Sequence, residues 1–150
     1  MIATILVALD GSLRAPGVFD AAAEIAQRFG AKLVALRVID VPPEFPAAAA
    51  GSLHDALPDM LARVALAELE RLRLRHPSAW HDAPRVRAGT PWRVVLEVAN
   101  ELDVDLIVVG SHGFHGLDRV LGTTTGRVAE RAARNVLVVH ERASVATQIR

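Results

Sequence analysis

The chain has 150 residues, of which 51% are hydrophobic, so it is long enough for one domain with a core of its own. Its 17 basic residues balance 17 acidic ones, and it has only four phenylalanines and two tryptophans, which argues against non-specific nucleic-acid binding. We find no cysteine, no leader and no apolar run of roughly 18 residues, and therefore expect one cytoplasmic domain over residues 1–150 with a flexible tail at 141–150.

Apolar runs alternate with helical patterns along the chain. The runs predict five strands, at residues 5–9, 33–39, 85–88, 106–109 and 136–139. Helices are predicted between them, at residues 16–29, 58–75, 91–102 and 124–134. Most of the strands are continuously apolar, which is typical of parallel strands covered on both faces. The alternation predicts an α/β fold with a doubly wound open parallel sheet and helices on both faces.

Local signals set several of these boundaries. Gly30 is expected to end the first helix, and Pro77 follows the end of the second. Thr90 and Pro91 form a start signal, a hydroxyl at the N-cap followed by proline at the first helical position. Residues 41–57, with three prolines, are predicted to be irregular.

The stretch from residue 106 to residue 125, LIVVGSHGFHGLDRVLGTTT, is the most informative part of the chain. A buried strand runs into Gly110, Gly113 and Gly116, and Gly122 with three threonines opens a helix. Glycines let the backbone approach an anion, and a helix N-terminus supplies unpaired N–H groups. This pattern favours a phosphate-binding loop; the alternative is a surface loop that uses glycine only for turning.

The glycine spacing matches neither the dinucleotide fingerprint GxGxxG nor the GxxxxGK[ST] phosphate loop. It resembles G-x2-G-x9-G-[ST], the nucleotide-binding motif of the universal stress protein family, with eight residues instead of nine between Gly113 and Gly122. Further segments match this family in order: ILVALDGS, RVID, AGTPWRVVLEVANELDVDLIVVGSHG and GRVAERAARNVLVV. The resemblance covers nearly the whole chain.

The resemblance implies a sheet order of 3-2-1-4-5, as in adenine nucleotide alpha hydrolase-like folds, and a site for ATP with Mg²⁺. It assigns eleven residues to this site: Ala8, Leu9, Asp10, Val38, Val109, Gly110, Gly113, Gly122, Thr123, Thr124 and Arg127.

Each part of the implied site has a distinct role. Backbone at Val38 would pair with the adenine edge, and apolar atoms of Ala8, Leu9, Val38 and Val109 would enclose the ring. Gly110 and Gly113 would approach the ribose and the first phosphates, and Gly122, Thr123 and Thr124 the distal ones. Arg127 would pair with phosphate, unless it is an ordinary solvated arginine; Arg119 is a second candidate.

Asp10 ends the first strand, so it should face the glycine loop at the point where the strand order reverses. The alternative is that Asp10 merely caps a turn. His112 and His115 lack a third metal ligand nearby, and we predict no metal site of side chains; the histidines at 54, 76, 81 and 140 are predicted to be surface residues.

No catalytic grouping is recognisable, since Ser12 and Ser111 have no paired histidine and acid in the sequence pattern. The preferred hypothesis is an ATP-binding stress-response protein that signals through a partner or its own dimer. The alternatives are a slow ATPase or autophosphorylating enzyme, and a nucleotide-free interaction module.

The last strand, from Asn135 to His140 (NVLVVH), is expected to lie at a sheet edge. Universal stress proteins commonly dimerise by antiparallel pairing of this strand, so the resemblance implies a homodimer with the nucleotide sites outside the interface.

Overall fold

The computed structural model describes residues 1–40, 51–111 and 123–140, with residues 51–57 described at the level of the backbone. In these ranges strands and helices alternate as β1 (Thr4–Leu9), α1 (Ala15–Phe29), β2 (Lys32–Ile39), α2 (Gly51–Arg73), β3 (Trp80–His81), β4 (Arg85–Ala88), α3 (Pro91–Glu101), β5 (Leu106–Gly110), α4 (Thr123–Arg131) and β6 (Asn135–Val139).

The described strands form one parallel sheet in the order β3-β2-β1-β5-β6, and β4 also pairs with β2. The predicted α/β doubly wound sheet is confirmed, but its five strands are corrected to six. Two short strands, β3 and β4, lie beside β2 where one strand was predicted. β3 pairs with Lys32 and Leu33, whereas β4 pairs with Leu36 to Ile39. Pro84 lies between the two strands and has no N–H to continue the ladder.

Helices cover both faces, because the side chains of each buried strand alternate between two cores. Ile5, Val7 and Leu9 of β1 pack with residues of α1 and α2, whereas Leu6 packs with residues of α3 and α4. The sheet is therefore buried on both faces at its centre, which explains the continuously apolar strands.

The predicted helix boundaries are confirmed where the chain has strong signals. Gly30 ends α1 in the left-handed conformation, with φ 64°, and Ala31 N donates to Ala26 O at 2.8 Å. Thr90 occupies the N-cap of α3 in an extended conformation, followed by Pro91, although its hydroxyl makes no capping hydrogen bond.

Two helices differ from the prediction. Helix α2 begins at Gly51 rather than at Pro58, which lies inside the helix. Leucines at every fourth position, 53, 57 and 61, continue the helical period across the proline, whose fixed φ suits a helix. Helix α4 ends at Arg131 rather than at residue 134, where Arg134 turns to bond Asp103 Oδ1 and Val104 O at 2.7 and 3.1 Å.

None of the helices in the described ranges is long and apolar enough to cross a membrane. The segment 41–50, the central part of the glycine loop at 112–122 and the predicted tail at 141–150 lie outside the described residues.

An ion-pair cluster joins α1 to the chain that follows α2. The carboxylate of Asp20 accepts two hydrogen bonds from Arg75, at 2.6 and 2.9 Å, and one from His76 Nε2 at 2.8 Å. The rings of His76 and His81 both lie 6.0 Å from that of buried Phe19. The prediction that these two histidines are surface residues is wrong, because both are half-buried by this packing.

Asp20→Asn is expected to lower the free energy of unfolding at pH 7 by about 1 kcal/mol, since the amide replaces a charged acceptor for the guanidinium of Arg75 and the ring of His76. The hydrogen bond from Arg75 holds the pKa of Asp20 below its ordinary value of 3.8. This stabilisation is therefore present above that value and is lost as the pH falls through the lower folded-state pKa. Urea unfolding of both proteins should show the difference shrinking in acid.

Glu24→Gln is the matched control, because Glu24 lies on the same helix and its ion pair with Arg28, at 2.7 Å, is exposed. Loss of this ion pair should lower the free energy of unfolding by less than about 0.5 kcal/mol. Equal losses in the two variants would contradict a special role for the Asp20 cluster.

Candidate functional site

A cavity of about 400 Å³ opens at the carboxyl ends of the central strands. Strand β1 is followed outward by β2 and β4, and the chain then returns to place β5 on the other side of β1. The reversal leaves a crevice beside the end of β1, where open α/β sheets hold their ligands. The ends of β1, β2, β5 and β6 and the first residues of α1, α3 and α4 line it.

The loop after β1 is wound tightly into α1. Asp10 Oδ1 accepts a hydrogen bond from Ser12 N at 3.0 Å, and Ser12 Oγ accepts one from Arg14 N at 3.2 Å. Asp10, Ser12 and Arg14 all line the cavity. The carboxylate of Asp10 therefore caps a turn and also borders the cavity, and its predicted contact with a ligand stays a prediction.

The position after Asp10 lies against the guanidinium of Arg37 on β2. A Cβ built on Gly11 would lie 2.5 Å from Nη2 of Arg37, which is held by Glu68 at 3.1 Å. A larger residue at this position would make the flexible end of Arg37 shift. The sequence analysis did not identify Arg37.

The end of β5 is the most tightly packed part of the cavity wall. A Cβ on Gly110 would lie 2.9 Å from Cγ2 of Val18 on α1. On the other side Thr125 Oγ1, in a residue only 2% exposed, donates to Gly110 O at 2.6 Å. Ser111 N donates to Val139 O at 2.9 Å and joins the ends of β5 and β6. Gly110 is thus clamped between α1 and α4.

Seven of the eleven residues predicted for the site line this cavity: Ala8, Leu9, Asp10, Val38, Val109, Gly110 and Thr124. Thr123 is exposed in the first turn of α4 and is not among the lining residues of the described part. Gly113 and Gly122 lie outside the described residues, as do Arg119, His112 and His115.

Arg127 lies elsewhere than the resemblance implied. Its guanidinium is 5.5 Å from the ring centre of Trp92 on α3, and it does not line the cavity. Its predicted contact with a phosphate stays a prediction, because the glycine loop at 112–122 lies outside the described residues.

Several lining residues escaped the sequence analysis as site residues, among them Ser12, Arg14, Pro91, Val95, Ser111, Thr125, Val139 and His140. Ser12 and Ser111 are adjacent to predicted site residues and could have been included by that signal. His140 was predicted to be a surface residue, and it reaches the cavity because β6 lies beside β5.

The cavity wall is apolar at one end and rich in hydroxyl and backbone groups at the other. Ala8, Leu9, Val38, Val95 and Val109 supply the apolar part. Among the described lining residues the carboxylate of Asp10, the guanidinium of Arg14 and the imidazole of His140 are the ionisable groups. Such a wall suits a ligand with a flat apolar group and a polar or anionic group.

Within the described ranges no three histidine, cysteine, aspartate or glutamate side chains gather as a metal site would require. Among the described lining residues, Asp10 supplies the carboxylate oxygens that a hard cation prefers.

The profile of the Universal stress protein family matches residues 1–140. The chain belongs to this family. Universal stress protein A homolog 1 of Coxiella burnetii (strain RSA 493 / Nine Mile phase I) is 36% identical in an alignment 140 residues long, which covers 90% of this chain and 94% of that protein.

Solved structures of universal stress proteins have the same fold. UspA from Lactobacillus plantarum is 32% identical and superposes with a TM-score of 0.77 over 92% of this chain and 97% of its own. A universal stress protein solved in complex with cAMP is 28% identical, with a TM-score of 0.71 over 94% of this chain and 99% of its own.

Gly110→Ala is expected to destabilise the protein by about 1–3 kcal/mol, because the new methyl overlaps the stiff, buried side chain of Val18. Thermal or urea unfolding measures the change. The double variant Gly110→Ala/Val18→Ala removes the opposing methyls of Val18. Its loss of stability should be smaller than the sum of the losses in the two single variants.

Gly17→Ala is the matched control, because a Cβ at this position of α1 meets nothing within 4 Å. It should leave stability unchanged or raise it by about 0.5–1 kcal/mol. Strict additivity of Gly110→Ala and Val18→Ala would contradict the proposed contact.

Proposed function

We propose that this universal stress protein binds an adenine nucleotide, ATP above all, in the cavity at the ends of β1 and β5, and acts as a nucleotide-dependent stress-response protein of the cytoplasm. The observation that supports this most is the cavity itself, which combines an apolar slot with a glycine and hydroxyl end at the reversal point of the sheet. A relative of the same fold was solved in complex with cAMP.

In this proposal the adenine ring lies in the apolar end of the cavity, against Ala8, Leu9, Val38 and Val109. Val38 is half-buried, and β4 lies along one side of its backbone at Arg87 and Ala88. Because Val38 also lines the cavity, an adenine edge would approach its backbone from the cavity. The ring would replace water on an apolar wall and gain the free energy of that burial.

The phosphates would lie at the other end, near Gly110, Ser111 and Thr124. The first turn of α4 offers unpaired N–H groups there, and its dipole favours an anion. We retain Gly113, Gly122 and Thr123 as further phosphate contacts on the strength of the sequence motif. Arg14 borders the same cavity and would supply a full positive charge, which the sequence analysis did not foresee.

Direct binding tests this proposal. Isothermal titration of the wild type with ATP, AMP and adenosine should show the tightest binding for ATP. Arg14→Gln should weaken ATP binding by about tenfold, since a charge-assisted contact is lost, and leave adenosine binding unchanged. Arg63→Gln is the control, because Arg63 is exposed on α2, outside the cavity lining. Failure of all three ligands to bind would overturn the proposed function.

We further propose that Mg²⁺ accompanies ATP at this site. A triphosphate carries about four negative charges, which one guanidinium and backbone dipoles balance poorly in a partly dry cavity. The carboxylate of Asp10 also borders the cavity and would repel the phosphates of ATP. A divalent cation between the carboxylate and the phosphates would attract both.

ATP affinity is therefore expected to fall by about tenfold or more when Mg²⁺ is removed with EDTA. Asp10→Asn should reduce this dependence on Mg²⁺, because the bridging carboxylate is gone, whereas adenosine binding should be unaffected by Mg²⁺. Equal ATP affinity with and without EDTA in the wild type would show that protein cations alone balance the phosphates.

A homodimer formed through β6 completes the proposal. β6 is the edge strand beside β5, and Leu137 is 36% exposed. Val139 O accepts from Ser111 N, so Val139 faces β5 and the backbone N–H of Val138 points away from the sheet. The outer edge of β6 thus offers donors to a second copy, and antiparallel pairing about a two-fold axis would use them.

Val138→Pro is expected to convert the dimer to a monomer in light scattering, because it removes an outward donor while the ladder to β5 keeps its own N–H groups. Leu137→Pro is the comparison variant, since the backbone of Leu137 faces β5. Proline there removes an N–H from the ladder between β5 and β6, so it should lower stability more than Val138→Pro does. A folded Val138→Pro protein that remained dimeric would show that assembly uses another surface.

A further inference from the structure

Three arginines surround a single indole on the surface formed by α3 and α4. The guanidinium carbons of Arg93, Arg127 and Arg131 lie 5.2, 5.5 and 4.7 Å from the ring centre of Trp92. Trp92 is half-buried and the three arginines are exposed. We call these four residues the tryptophan–arginine patch.

In the described ranges, no carboxylate lies within ion-pair distance of the three arginines of this patch. Some arginines are paired with carboxylates, as Arg75, Arg87 and Arg134 are, whereas others in the described ranges, such as Arg63 and Arg71 on α2, form no ion pair. Within the same described ranges, Arg93, Arg127 and Arg131 form no ion pair. Glu97 and Glu130 lie on the same two helices, but neither pairs with them. Three like charges therefore share one ring although they repel each other.

The indole holds the guanidinium groups without using their hydrogen bonds. A guanidinium that packs on an aromatic ring is attracted by its π electrons, and its N–H groups lie in its own plane. Those N–H groups keep the fork geometry that binds a carboxylate with two parallel hydrogen bonds. Trp92 thus presents several carboxylate-binding groups at one place on the surface.

We infer that the tryptophan–arginine patch is a docking surface for an acidic segment of a partner protein, rich in aspartate or glutamate. The charge of the patch is complementary to such a segment, and the apolar ring is available to its aliphatic carbons. This inference does not depend on the proposed nucleotide.

Nucleic acid fits the same surface less well. Proteins that bind nucleic acid through the backbone typically neutralise about six to ten phosphates, and this patch has three cations on a chain of zero net charge. A short run of carboxylates matches three guanidinium groups without further contacts.

The patch lies next to the cavity. Pro91, which precedes Trp92, and Thr124, one helical turn before Arg127, both line the cavity. A partner bound here would lie beside the cavity opening, where it could sense what the cavity holds.

Fluorescence anisotropy with a labelled oligoglutamate peptide tests the inference, with single-stranded oligothymidylate of equal charge as the competing probe. Wild-type protein should bind the peptide more tightly than the oligonucleotide, and more weakly as salt is added. The double variant Arg127→Gln/Arg131→Gln should bind the peptide at least about tenfold more weakly, while Trp92 is retained so that the fold is preserved.

Arg63→Gln/Arg71→Gln is the matched control, because it removes the same charge from exposed positions on α2. It should bind the peptide within about twofold of the wild type. Circular dichroism and thermal unfolding confirm that each variant is folded before titration.

Three results would overturn the inference: equal weakening in the control, tighter binding of the oligonucleotide through the same arginines, or no peptide binding by the wild type. A dimer that dissociates in Arg127→Gln/Arg131→Gln would also overturn it, and would assign the patch to a second copy of the chain.

Discussion

The position of β1 between β2 and β5 is the constraint on which the rest of the structure depends. β1 is bonded on both sides, and its alternating side chains enter both cores, so it cannot shift without breaking the whole sheet. The chain moves outward from β1 in one direction and then returns to its other side. The crevice at its carboxyl end is a consequence of this reversal, and Asp10 lies there because it is the next residue.

Close packing around the crevice gives the cavity its fixed shape. Gly110 has Val18 on one side and the hydroxyl of Thr125 on the other, so the strand end, α1 and α4 hold one another in place. Gly11 is similarly covered by Arg37. At Gly110 an added side chain would meet the buried methyl of Val18, so this part of the cavity wall is held in place by close packing.

Arginines lie both at the cavity and at the neighbouring tryptophan–arginine patch. At the cavity, Arg14 faces a wall that otherwise relies on hydroxyl and backbone groups. At the tryptophan–arginine patch, Arg127 and Arg131 of α4 are drawn to Trp92 of α3. Helix α4 therefore takes part in both, with its threonines at the cavity and its arginines on the outer surface.

The sequence by itself determined the alternation of strands and helices, the ends of α1 and α3, and the place of Asp10 and Gly110 at strand ends. The spacing of hydrophobic residues and the positions of glycine and proline set the local backbone conformation over a few residues. These features can therefore be inferred from neighbours in the chain. Only the tertiary structure decided that β3 precedes β4, that His140 and Arg14 reach the cavity, and that Arg127 lies on Trp92. These outcomes depend on which strands pair and which helix faces meet, and residues far apart in the chain decide that together.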